Sequence, residues 1–130
     1  MNPLTPQQIE ELNVVWQRRL QWRATANRLI EEGENLKKKG NEIIANANST
    51  LAESDLNDDS YAEALKSLNE GYNLTEQAIK VLREGYSIWD DTRKIWEQKV
   101  IEVCGKYEMG FRPTFTEFDY VFPDGTTFKS

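Results

Sequence analysis

Paired carboxylates can divide acid and base roles or share a metal ion, and adjacent acids occur here at Glu10-Glu11, Glu31-Glu32 and Asp90-Asp91. All three fall in stretches with helical periodicity, where neighbouring side chains diverge by about 100° and do not converge on one atom. The other reagents of catalysis are scarce. There is no histidine, and the single cysteine, Cys104, makes neither an internal disulfide nor a zinc site. Without histidine there is no Ser-His or Cys-His couple, and the Glu-x-x-His pairs of a four-helix carboxylate metal site are missing as well. Neither a glycine-rich phosphate loop nor a nucleophile elbow occurs. The expectation is a protein that is not an enzyme, with no cofactor, metal or small-molecule substrate.

The residues with capacity for recognition are aromatic and aliphatic. Arg93 lies between Trp89 and Trp96, placed to stack on those rings or to pair with Asp90 or Glu97. Leu74, Val81, Ile88 and Ile95 recur every seventh residue and form an apolar stripe. Phe115, Phe118, Tyr120 and Phe122 crowd a short segment near the C-terminus. These eleven residues are the candidate partner-binding set, since tryptophan, tyrosine and arginine dominate interface energetics. Arg18, Arg19 and Arg23 add a basic patch near the tryptophans.

Two long helices must position them. The first starts cleanly, because Thr5-Pro6-Gln7-Gln8 supplies a capping threonine, a proline at the first helical position and a glutamine three residues after the cap. Leu4 and Ile9 suit the accompanying hydrophobic staple. Trp22, Ala26, Leu29, Gly33, Leu36, Gly40, Ile43 and Ala47 then follow at alternating spacings of four and three, the heptad of a coiled coil. The polar run from Glu53 to Ser60 breaks the pattern, and Ser60-Tyr61-Ala62-Glu63 resembles a second capping box. A second heptad seam follows through Tyr61, Leu65, Leu68, Tyr72, Thr75, Ile79, Leu82, Tyr86, Trp89, Arg93, Trp96, Val100, Val103 and Tyr107, with Gly110 as the expected cap.

Small residues fix how the helices meet. Ala26, Gly33, Gly40 and Ala47 in the first helix, and Ala64, Gly71, Ala78 and Gly85 in the second, each repeat every seventh residue. Folding the chain back near Asp55 pairs Ala47 with Ala64, Gly40 with Gly71, Gly33 with Ala78 and Ala26 with Gly85. The same register sets Trp22 against Trp89, Leu29 against Leu82 and Ile43 against Leu68. Each helical glycine costs about 1 kcal/mol relative to alanine, so the repeat points to backbones that approach closely.

The expected fold is therefore predominantly all-α: a long antiparallel helical hairpin, coiled-coil-like and close-packed through heptad-spaced Gly and Ala, with a short C-terminal aromatic β-hairpin or extended tail. Its expected boundaries are a helical hairpin over 1–110 (helix 6–52, turn 53–60, helix 61–109) and the β-hairpin or tail over 111–130. In the tail, Phe118, Tyr120 and Phe122 alternate as in a strand and Phe122-Pro123-Asp124-Gly125-Thr126 supplies a turn. The four tryptophans and the tail fall at the open end of the hairpin, and Asp55, Asp58 and Asp59 at its turn. The stripe Leu74, Val81, Ile88 and Ile95 is expected to lie outside the seam, covered by the tail, a second copy or another protein.

Charge narrows the partners. The net charge is −6, yet residues 1–53 carry seven basic and seven acidic groups and 61–107 carry seven and eight. Near-neutral helices disfavour both a basic nucleic-acid face and an acidic nucleic-acid mimic. No apolar run approaches the length of a membrane span and the N-terminal residues lack a secretory pattern, which points to the cytoplasm or a particle assembled there. Asn48-Ser49-Thr50 and Asn73-Leu74-Thr75 match the glycosylation acceptor pattern but carry little weight in that setting. The sequence thus suggests a structural or assembly protein, a homo-oligomer or part of a hetero-complex, packing with its own copies or neighbouring subunits. By architectural analogy that would suit a viral or phage particle. The alternative is a small inhibitor or adaptor docking one protein through its aromatic head or acidic tip.

Overall fold

In the computed structural model, which describes residues 3–53, 55–106 and 120–129, two helices account for most of the chain: α1, Pro6–Leu51, and α2, Asp58–Cys104. They pack antiparallel against each other. The start of α1 follows the capping box, with Thr5 N–H donating to Gln8 Oε1 at 2.9 Å and Gln8 N–H donating to Thr5 Oγ1 at 3.2 Å. The start of α2 differs from the sequence expectation. Asn57 caps it, its Oδ1 accepting from Ser60 N–H at 2.8 Å and its carbonyl from Tyr61 N–H at 2.9 Å. Asp58 and Asp59 then occupy the first turn, where negative charge suits the helix dipole. The far end also differs: Gly105, at φ +81°, ends α2, and its N–H donates to Ile101 O at 2.8 Å. Gly110 and Tyr107, assigned to the helix end from sequence, lie outside the described residues.

The chain divides into two compact units, Met1–Ala24 with Ile88–Ser130, and Thr25–Ser87. The second unit is built on the small residues. Ala26, Gly33, Gly40 and Ala47 on α1, and Ala64, Gly71, Ala78 and Gly85 on α2, are all buried. A Cβ placed on Gly71 would lie 2.7 Å from Ile44 Cγ1 and 3.0 Å from Gly40 O. One on Gly85 would lie 3.1 Å from Ala26 O. Gly40 thus meets Gly71, and Ala26 meets Gly85, in the register that the spacing predicts. Gly33 is filled by Leu82, whose Cγ would sit 2.6 Å from an added Cβ.

The centre of the seam, however, is rotated about one residue from the expected α2 seam. The expected seam residues Tyr72, Ile79 and Tyr86 are 52%, 49% and 55% exposed. Leu74, expected to be turned away, has its Cβ 3.2 Å from the position of a Cβ on Gly40. Backbones this close leave no room for large side chains on the line of centres, so these flank it. On α1 the expected positions hold except at Trp22, which is 42% exposed.

The first unit has a conventional core. Leu4, Leu12, Trp16, Trp96, Val100, Tyr120, Phe122 and Phe128 form one buried cluster. Strands β1, Tyr120–Val121, and β2, Thr127–Phe128, pair antiparallel with Tyr120 opposite Phe128. Gly125 turns between them at φ +91°, a conformation that suits glycine. So short a hairpin is marginal alone and needs a surface to lie against. Phe128 packs 5.9 Å from Trp16 and 5.5 Å from Trp96 between ring centroids, and Trp16 Nε1–H donates to Lys129 O at 2.9 Å. Asp124 ties the turn to the N-terminus, Oδ2 accepting from Leu4 N–H at 2.8 Å and Oδ1 from Thr126 N–H at 2.9 Å.

Candidate docking interface

The small-residue repeat orders the faces of α2. Counting from Ala64, Gly71, Ala78 and Gly85, the residues three positions on are Ser67, Leu74, Val81 and Ile88, and those four positions on are Leu68, Thr75, Leu82 and Trp89. Both rows are half-buried and flank the seam. The residues one position on, about 100° round the helix, are Leu65, Tyr72, Ile79 and Tyr86. All four are exposed, and Tyr61, 51% exposed, extends the apolar surface toward the helix start. On α1 the equivalent positions are Asn27, Glu34, Asn41 and Asn48, all exposed and all polar. One helix therefore completes its amphipathic pattern and the other does not.

No family model, curated protein or solved structure matches the chain.

The candidate residues taken from the sequence scatter. Leu74, Val81 and Ile88 are half-buried beside the seam, and Ile43 and Leu74 line one open groove of about 550 Å³ together with Lys39, Glu70 and Lys80. Ile95 is 43% exposed. Trp96 is completely buried, with Trp16 at 5.0 Å and Tyr120 at 5.3 Å in edge-to-face contact, and Tyr120 and Phe122 are core residues too. Those three aromatics form the interior of their unit and present no surface. Trp96 Nε1 is buried with no hydrogen-bond acceptor among the described residues. Phe115 and Phe118 lie outside the described residues.

Trp89 is half-buried, and the guanidinium of Arg23 lies over its ring at 4.6 Å, in the place where the sequence register set Trp22. Arg93 is exposed and pairs with Asp90 at 2.8 Å and Glu97 at 3.7 Å, as the sequence allowed. With Lys94 at 3.2 Å, that contact holds the Asp90 carboxyl below the usual carboxylate range, chiefly through the Arg93 hydrogen bond. The basic patch is not a single surface either. Arg19 is buried, its guanidinium 5.5 Å from the Trp16 ring, at the position where the small-residue repeat of α1 would continue. Thr92, at the matching position of α2, is buried and donates its hydroxyl to Trp89 O at 2.8 Å.

The residues that sequence reasoning missed are thus Leu65, Tyr72, Ile79 and Tyr86 as a surface. The signal was present, since these four large residues stand where α1 has asparagine and glutamate. Among the described residues no helix is long and apolar enough to cross a membrane, and no group of three or more acidic, cysteine or histidine residues could hold a metal ion.

Proposed function

We propose that this protein is a non-enzymatic structural or assembly component, working in the cytoplasm or in a particle formed there, that packs with copies of itself or neighbouring subunits through the exposed face of α2. The observation that carries it is the row Leu65, Tyr72, Ile79 and Tyr86, with Tyr61 beside it, each 42–55% exposed. Exposed large apolar residues are ordinary when scattered, but a contiguous row is the signature of a surface meant to be covered. Tyrosine is enriched at interfaces because its ring is apolar and its hydroxyl tolerates both water and a partner. The Trp16–Trp96 aromatics, which an adaptor would need as a docking head, serve instead as the core that holds the terminal hairpin.

Light scattering coupled to size exclusion tests the proposal. The parent chain is expected to elute with a mass that is a multiple of 15.1 kDa, and Tyr72→Glu combined with Ile79→Glu should return it to one chain with helix content unchanged. A parent that stays at one chain mass up to millimolar concentration overturns it.

A further inference from the structure

Resting on that reading, we infer that the occupant of the α2 face is a second copy of the same face, docked antiparallel on a two-fold axis through Ile79. The row has a self-complementary layout. Pairing about Ile79 sets Ile79 against the partner's Ile79 and Tyr72 against the partner's Tyr86, with the reciprocal contact completing the set. Glu76 and Arg83 flank the row on its solvent side, both exposed, and neither is in an ion pair within the chain among the described residues. In this arrangement Glu76 lies beside the partner's Arg83, and Arg83 beside the partner's Glu76. Two opposite-charge pairs thus form along one edge.

The neighbouring registers are worse. An axis one half-heptad earlier, between Thr75 and Glu76, would also stack the row, with Tyr72 on the partner's Ile79, but it sets Glu76 against the partner's Glu76. An axis at Tyr72 leaves Glu76 facing the partner's Asn69 and Arg83 facing the partner's Ala62, so neither charge is paired. Flanking charges of this kind choose alignment and orientation between helices more than they add affinity. Area is adequate for a modest dimer. The five apolar residues expose on the order of 500 Å², and the stems of Glu76, Lys80 and Arg83 extend the contact toward the roughly 800 Å² per partner typical of stable pairs.

Two variants on the full chain test the arrangement, each in a Cys104→Ser background so that the only thiol is the introduced one. Ile79→Cys should form a disulfide-linked dimer under mild oxidation, because a residue on the two-fold axis meets itself, whereas Tyr72→Cys should not. Arg83→Glu should weaken association about tenfold, and adding Glu76→Arg should restore it. Association without the Ile79→Cys cross-link, or without the charge-reversal loss and rescue, overturns this arrangement while leaving the assembly proposal standing. A parent that remains a single chain overturns both.

Discussion

Gly71→Ala gives the sharpest test of the close-packed seam, because two effects of known size act in opposite directions. In a helix whose glycine faces solvent, the change to alanine stabilises by about 1 kcal/mol. At Gly71 the new methyl carbon would stand 2.7 Å from Ile44 Cγ1, 3.0 Å from Gly40 O and 3.2 Å from Ile44 N. Two of those three atoms are backbone, so relief requires α1 and α2 to move apart, and the displacement spreads to the neighbouring layers. Overpacking of this kind costs about 1–3 kcal/mol. With the propensity gain subtracted, the expected net loss is about 0–2 kcal/mol, which for a chain of this size lowers Tm by up to roughly 8 °C. The assay is thermal unfolding followed by circular dichroism at 222 nm, at one fixed protein concentration so that association does not confound it. Gly33→Ala is the internal comparison, since its two shortest contacts, at 2.6 and 2.8 Å, are to the Leu82 side chain, which can turn aside. It should lose less than Gly71→Ala. A Gly71→Ala protein with a Tm above the parent would refute the close approach outright, because only an uncrowded glycine behaves that way.

Two further outcomes probe the terminal unit. Leu4 N–H, first, and Thr126 N–H hold the Asp124 carboxyl below its ordinary value of 3.8. A depressed folded-state value means that its contribution is fully present above the unfolded value and is lost as pH falls through the folded one. Tryptophan fluorescence, to which Trp16 and Trp96 under the hairpin contribute, should therefore show an acid transition below about pH 4 that Asp124→Asn abolishes, since an amide does not titrate; a transition that persists in the variant would show that the turn is anchored otherwise. The two buried tryptophans should also differ. Trp16→Phe deletes the hydrogen bond to Lys129 O, whereas Trp96→Phe deletes an N–H that has no acceptor among the described residues, so Trp16→Phe should be the more destabilising by about 1 kcal/mol in urea titration. Equal losses would count against the assignment.

The sequence by itself determined the helical hairpin and its register, because these rest on local and periodic signals. Thr5 and Gln8 cap α1 through their own side chains, and glycine or alanine at every seventh position on both helices admits one alignment in which all eight are matched. The aromatic alternation and the turn before Thr126 likewise announced a terminal hairpin. What the tertiary structure decided was which face of α2 is inside. A run of apolar residues covering nearly half of a helix does not state its own centre, and the heptad through Tyr72, Ile79 and Tyr86 reads as well as the one through Gly71, Ala78 and Gly85. Backbone proximity resolves it: with a Cβ on Gly71 only 3.0 Å from Gly40 O, a tyrosine on the line of centres has nowhere to go and turns to solvent. The end of α2 was decided in the same way, at Gly105 and not beyond, as was the choice of Arg23 over Trp22 as the neighbour of Trp89. The link from Asp124 to Leu4 joins residues 120 positions apart, and no pattern along the chain carries a contact of that span.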